Sequence, residues 1–382
     1  MEGLTRVVLS WRTFLRAIAA GGVSVVLVAA LTACTSAAPS PAPTTPAPAA
    51  APTKAAEPTK APEPTKASVT SQPSAATAAP AKKVDFPQKG KAITMIVPYA
   101  AGGSTDVGGR LLAGQLEKEL GTPVEVLNKA GAAGQVGITE LALSKPDGYT
   151  FGYTSFPPAI AIYLDPDRKA AYSRKDLQPL AMHVFDPAVV AVANTSPYKT
   201  MKDLIDDVKA KPETVKIATT GIQSDDHFAV LQLERTTGAK FAIVHFADGA
   251  APAMAAMLGG HIDVFQGNIG DVVGPVKSGQ VRVLGIEDKE ESKFLPGVKT
   301  AEAQGYKVYS AAPRGLSVPG GTPTEIVNIL SGAIKKVMDS PEHKSKMDEA
   351  GLTLRYMDPK QYDAYWTETE TQLKELLPLA KQ

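Results

Sequence analysis

Between Pro98 and Asp106 the chain reads Pro-Tyr-Ala-Ala-Gly-Gly-Ser-Thr-Asp, after a β-like run from Ile93 to Val97 and before an amphipathic stretch that starts near Val107. Adjacent glycines let a main chain approach a ligand closely, and the N-terminus of the helix that follows offers unpaired N–H groups carrying partial positive charge. That is the chemistry of an anion seat made of backbone. Ser104 or Thr105 can add a hydroxyl, and Asp106 is open to two roles, helix cap or ligand contact. A second glycine-rich turn, Asn128 to Gly137, follows the next β-like run. It lacks the spacing of a dinucleotide fingerprint, has no acid placed for a ribose and has no Lys-Ser pair of a phosphate loop. At the same end of adjacent parallel strands, two such turns would face one crevice, where open α/β sheets place ligands. The alternative is a pair of tight strand-to-helix connections that bind nothing.

Catalytic sets are harder to assemble. Ser224, Asp226 and His227 share one helical turn, too close together for a base oriented by a separate third group, and no Gly-x-Ser-x-Gly elbow occurs. The five histidines, His183, His227, His245, His261 and His343, show no ligand spacing, so neither a metal site nor a cofactor is expected. His245, in an apolar run, reads as a core residue, and Tyr365 and Trp366 as packing. With one cysteine, Cys34, no disulfide framework can form within the chain. Lys and Arg number 40 against 39 Asp and Glu, a net charge of +1 that gives no electrostatic footprint for nucleic acid.

The elements that must position these residues alternate in type. β-like runs are Ile93 to Val97, Val124 to Leu127, Thr150 to Tyr153, Val189 to Ala193, Val215 to Thr219, Ile243 to Phe246, Val264 to Gln266, Val281 to Ile286 and Leu316 to Val318. Amphipathic stretches follow most of them, which is an α/β pattern. Val107, Leu111, Leu112, Leu116 and Leu120 share one helical face, as do Leu204, Ile205 and Val208 in a segment opened by Thr200 and closed before Pro212. Pro359 to Leu379 is helical in pattern and should pack on the first lobe of a two-lobed protein, which 382 residues, 44% of them apolar, are enough to build.

The N-terminal region follows a different logic. Arg6, Arg12 and Arg16 precede a mostly apolar run, Ala17 to Ala33, that is short for a membrane span and ends in small residues, the order of a secretory signal. Leu31-Thr32-Ala33-Cys34 resembles the bacterial lipobox, in which the cysteine is lipidated and becomes the mature N-terminus; acyl chains there hold a protein at a membrane surface without a spanning helix. From residue 34 to 85 the chain is almost wholly Ala, Pro, Thr, Ser, Lys and Glu, with a Pro-Thr-Lys repeat at Pro52, Pro58 and Pro64. Such a composition cannot bury enough apolar surface to offset its ordering entropy, so a disordered tether is expected, extended by its prolines to a reach on the order of 150 Å.

From Phe86 to Gln382 the chain resembles the substrate-binding proteins of tripartite tricarboxylate transporters, the Bug family. The resemblance is carried by the two glycine turns, then by Pro146-Asp147-Gly148-Tyr149-Thr150, Asn194-Thr195-Ser196-Pro197-Tyr198, Ser224 with His227, Gly249 to Asp263, Pro296 to Thr300 and Pro319-Gly320-Gly321-Thr322-Pro323. It implies an α/β type II periplasmic-binding-protein fold, two lobes around a ligand cleft, with lobe one at 86–192 plus 308–382 and lobe two at 193–307. It also implies a binding protein and not an enzyme: an extracytoplasmic monomer on a bacterial membrane that captures a small carboxylate and delivers it to integral-membrane permease subunits. A sensor that presents its bound form to a signalling receptor is the alternative. Mapped residue by residue, the family's ligand contacts fall on Tyr99, Gly103, Ser104, Thr105, Asp106, Gly131, Gly134, Thr154 and Ser155 of lobe one, and on Thr220, Ser224, His227 and Asp248 of lobe two. The sequence departs from the family where Ala247-Asp248-Gly249 puts an acid in place of a common cation, where Asp225 and Asp226 stand between Ser224 and His227, and where Arg314 stands in a stretch often aromatic. An Asp248 facing the cleft would favour a ligand with a donor or cationic group, such as an amino acid, over a plain tricarboxylate.

Overall fold

The computed structural model describes residues 84–381; the signal, Cys34 and nearly all of the proposed tether lie outside the described residues. Lobe one opens with strand β1 (Ile93–Val97), helix α1 (Ser104–Leu120), β2 (Val124–Asn128), α2 (Gln135–Ala142), β3 (Thr150–Ser155) and α3 (Pro158–Leu164). The long β4 (Leu177–Ala193) leads into lobe two, built from α4 (Met201–Ala210), β5 (Lys216–Thr219), α5 (Asp225–Thr237), β6 (Ala242–His245), α6 (Ala250–Leu258), β7 (Val264–Asn268), α7 (Ile269–Lys277) and β8 (Val281–Ile286). β9 (Ala311–Pro319) returns the chain to lobe one, followed by α8 (Thr324–Asp339), α9 (Pro341–Glu349), β10 (Leu354–Met357) and α10 (Pro359–Leu376). The strands run in the order β2-β1-β3-β9-β4-β7-β5-β6, with β8 and β10 also paired to β4.

β4 belongs to both lobes. Leu177 to Pro187 pairs antiparallel with β9, while Ala188 to Ala193 pairs with β7 and β8. The chain crosses from lobe to lobe within one strand at Pro187–Ala188 and again at Ser310–Ala311, where Ala188 N donates to Ser310 O at 2.9 Å. Each sheet is buried on both faces by helices. In lobe one, Ile93, Met95, Phe151 and Leu316 meet Leu112, Leu116, Leu330 and Ile334 on one face; Ile138, Phe156, Ile160, Tyr362 and Trp366 fill the other. Lobe two repeats the plan with Phe265, Ile269 and Val272 on one side and Leu204, Ile205, Val208 and Leu233 on the other.

Local chemistry accounts for the helix ends. Thr200 caps α4 by accepting from Asp203 N at 3.1 Å, and Asp203 returns the bond to Thr200 N at 2.9 Å, a reciprocal box that satisfies two otherwise orphaned amides. Two sequence expectations change here. Val107 does not share the buried face of α1: it is exposed, and the helix seats itself through Gly108 and Gly109 instead. A methyl on Gly109 would lie 3.1 Å from Val97 and 3.2 Å from Tyr153, so at its first turns the helix sits closer to the sheet than a larger side chain allows, while Leu112 and Leu116 pack further along. The sequence also reads only the end of β4, Val189 to Ala193, as strand, because Pro179, His183, Asp186 and Pro187 interrupt the apolar pattern.

Candidate functional site

Parallel pairing of β1 with β2 sets Val97 opposite Asn128, so the two glycine turns leave the sheet side by side at one edge. They are pressed together: a methyl on Gly137 would lie 2.8 Å from both Lys129 O and Pro98 Cα, a gap closed to any side chain. Asp106 ties the first turn down. It accepts from Gly102 N at 3.0 Å, Arg110 Nε at 3.0 Å and Asn128 Nδ2 at 2.9 Å. Burial opposes its charge, but those hydrogen bonds outweigh it and hold the carboxyl below the usual carboxylate range.

The first turn faces lobe two across a narrow, nearly closed cleft. Lobe one lines it with Tyr99, Gly103, Ser104, Thr105, Ser155 and Arg314, and lobe two with Thr220, Asp225, Gly249, Ala250, Asn268 and Asp271. The lobes are in direct contact around it. Ala100 N donates to Asp248 O at 2.8 Å, Ala133 N to Ala247 O at 3.0 Å, and Ser104 N, the first amide of α1, to Asp271 Oδ1 at 2.9 Å.

Arg314 is the cation of the site, 2% exposed. Its guanidinium donates to Asp186 Oδ2 and Ser104 Oγ, each at 2.8 Å, and to Asn268 Oδ1 at 3.3 Å. Asp186 pays for this position: burial pushes its carboxyl up to about 6 even though Arg314 pulls it down. Burial also pushes up Asp225, which accepts from Asn268 Nδ2 at 3.1 Å, and pushes Asp226 further, with the charge of Asp225 adding to the rise. Asp226 Oδ2 accepts from Thr220 Oγ1 at 2.5 Å, and its Oδ1 has no hydrogen-bond partner among the described residues. Ser155 Oγ faces the Tyr99 hydroxyl and is 4% exposed, yet has no partner in hydrogen-bonding geometry.

Of the residues the sequence singles out, Tyr99, Gly103, Ser104, Thr105, Asp106, Ser155 and Thr220 line this cleft. The others stand elsewhere. Gly134 packs beneath Tyr99, where a methyl would lie 3.3 Å from the phenol oxygen, and Gly131 shapes the same turn with φ 127°. Thr154 lies behind the cleft, hydrogen-bonded to Ser317 Oγ at 2.8 Å and Tyr362 Oη at 2.9 Å. Ser224 caps α5 by accepting from His227 N at 3.1 Å. His227 accepts from Gln223 N at 3.0 Å and packs edge-on against His245, whose Nδ1 meets Thr219 Oγ1 at 2.7 Å. Asp248 presents its carbonyl to Ala100 while its side chain is exposed, so the acids that face the cleft from lobe two are Asp225 and Asp271. Asn268, Asp271 and Asp186 are absent from the sequence reading. The first two were within reach, since Asn268-x-x-Asp271 directly after a strand is a capping-box spacing and marks a helix start at the sheet edge.

Residues 109–379 match the family described as Tripartite tricarboxylate transporter family receptor. The chain is 33% identical over 270 residues to protein BugT of Bordetella pertussis, covering 70% of this chain and 82% of that protein. It is 32% identical over 318 residues to the UPF0065 protein in the gbd 5' region of Cupriavidus necator, covering 80% of this chain and 93% of that protein. Among solved structures it is similar to the periplasmic binding protein BugD, at 26% identity and a TM-score of 0.71 over 78% of this chain and 99% of that one. It is also similar to MatC of Rhodopseudomonas palustris with bound malate, at 26% identity and a TM-score of 0.68 over 76% of this chain and all (100%) of that one. A two-lobed binding-protein fold, a cleft edged by a glycine turn and a helix N-terminus, and these matches place one conclusion beyond the fold alone: the chain belongs to the tripartite tricarboxylate transporter receptor family.

Proposed function

We propose that this protein is the extracytoplasmic solute-binding component of a tripartite tricarboxylate-type uptake system, capturing a small carboxylate-containing ligand between its lobes and delivering it to integral-membrane permease subunits. One observation carries the reading: the first amide of α1, Ser104 N, already grips a carboxylate oxygen, that of Asp271, at 2.9 Å. A helix N-terminus that binds an internal carboxylate in this geometry has the chemistry to bind an external one. Ser104, Thr105, Tyr99 and Ser155 supply hydroxyls around it, and Thr220 closes from the other lobe. Crossings confined to β4 and the segment before β9 let the lobes hinge, with ligand selecting the closed form. The malate in MatC is a ligand of the proposed class in a relative of the same fold.

The protein is held at a bacterial membrane by lipid on Cys34, with the Pro-rich segment as its tether. Native mass spectrometry of the purified mature protein tests the ligand: a small carboxylate is expected to travel with it. The same compound at about 100 times its Kd raises stability by about 2.7 kcal/mol. Turnover of that compound, or the absence of binding across a carboxylate panel, overturns the proposal. Metabolic labelling with palmitate tests the anchor, which Cys34→Ala should abolish.

A further inference from the structure

The cleft holds more acid than base. Asp106 is paired with Arg110, and Asp186 with Arg314. Asp225 and Asp271 line the same space, and among the described residues neither forms an ion pair with a Lys, Arg or His. Arg314 attracts both through space, but its hydrogen bonds go to Asp186, Ser104 and Asn268, so one guanidinium is shared among three carboxyl groups. Next to Asp225 in the chain, Asp226 is wholly buried with Oδ1 unpartnered among the described residues. On the opposite wall the buried hydroxyl of Ser155 is also without a partner. A ligand bearing only carboxylates would therefore enter a space that already has more carboxyl groups than cations to pair them.

We propose that this cleft selects a zwitterion, a ligand with a protonated nitrogen as well as its carboxylate, and that Asp225 is the counter-ion for the nitrogen. The inference rests on the proposed function and deepens it: the α1 N-terminus takes the carboxylate, and the acids of lobe two take the cation. Burial raises the pKa of Asp225, so the carboxylate form is costly in the empty cleft and a cation that arrives with the ligand offsets that cost. The selecting acid is thus Asp225 and not Asp248, whose side chain faces solvent.

Two matched sets of probes test this by calorimetry and thermal shift on the whole protein. One contains the L-amino acids, 4-aminobutyrate and β-alanine; the other contains succinate, malate, adipate and citrate. At least one zwitterion is expected to bind at least about tenfold more tightly than any of the four carboxylates, a difference of about 1.4 kcal/mol. Asp225→Asn keeps the size of the side chain and an acceptor for Asn268; it should weaken zwitterion binding at least tenfold while leaving or improving that of the carboxylates. Asp225→Glu should restore part of the loss, which a purely structural role would not produce. Binding of a di- or tricarboxylate with no zwitterion bound overturns the inference and leaves the proposed function standing. So does an Asp225→Asn protein that binds the zwitterion as tightly as wild type. If neither set binds, the proposed function falls and takes the inference with it.

Discussion

Glu287 should make the protein lose stability as the medium becomes more alkaline, and Glu287→Gln should remove that loss. The residue sits where β8 ends and the chain turns back toward lobe one: its N donates to Ala188 O at 2.8 Å and its O accepts from Ser310 N at 2.9 Å. The side chain is 1% exposed. Oε2 accepts from Gln266 Nε2 at 2.6 Å, and Oε1 has no partner among the described residues. Burial pushes the carboxyl up to about 8; the Gln266 bond works against the rise and the negative charge of Asp225 adds to it. Because the folded pKa lies above the ordinary value of 4.5, the stabilising contribution is complete below that value and disappears as pH rises through about 8. Within that window the folded protein holds one proton that the unfolded chain has released, so stability falls by about 1.4 kcal/mol per pH unit. From about pH 5.5 to about pH 7.5 the loss from this residue is about 2.7 kcal/mol. Glutamine keeps the acceptor for Gln266 but buries an unpaired N–H, a constant cost of about 1–3 kcal/mol that does not depend on pH. Urea unfolding of both proteins across this range gives the difference curve, in which the other buried acids cancel. Its expected slope is about one proton; parallel curves for the two proteins would refute the account.

The remaining predictions concern the cleft and its frame. Arg314→Met leaves Asp186 buried without its partner and should cost about 3–5 kcal/mol, whereas Asp186→Asn leaves Arg314 within the field of Asp271 and Asp225 and should cost about 1–3 kcal/mol. Denaturant titration showing the reverse order would remove the surplus of acid from consideration. Gly137→Ala forces a methyl against Lys129 O and Pro98 Cα; a loss of about 1–3 kcal/mol in unfolding free energy is expected, together with weaker ligand binding as the two turns part. Thr200→Ala, far from the cleft, should cost about 1 kcal/mol by loss of the α4 cap and leave ligand affinity unchanged in calorimetry.

What could be read from the sequence was what local chemistry decides. The helix after Thr200 is specified by one hydroxyl, one carboxylate three residues on and the apolar face Leu204, Ile205, Val208, all between Thr200 and Val208. The first glycine turn is legible for the same reason: Gly102 and Gly103 between a strand and a helix carry their geometry in their composition. The charge structure of the cleft is not local. Arg314 and Asp186 are separated by 128 positions and meet only because β9 and β4 are antiparallel neighbours, Asp186 opposite Ala312 and Arg314 opposite Val184. Asp248 shows the same limit at short range. It does lie at the cleft's edge, but Gly249 at φ 109° turns the chain so that the carbonyl reaches Ala100 and the carboxylate faces water. A period-two or period-3.6 pattern reports which residues are buried, and it carries no sign of charge. The side chains that set the charge balance of this cleft are supplied from separate strands and helices, so Asp225 and Arg314 stand out in the sequence as unusual residues while their meeting with Asp186, Asn268 and Asp271 appears only in the fold.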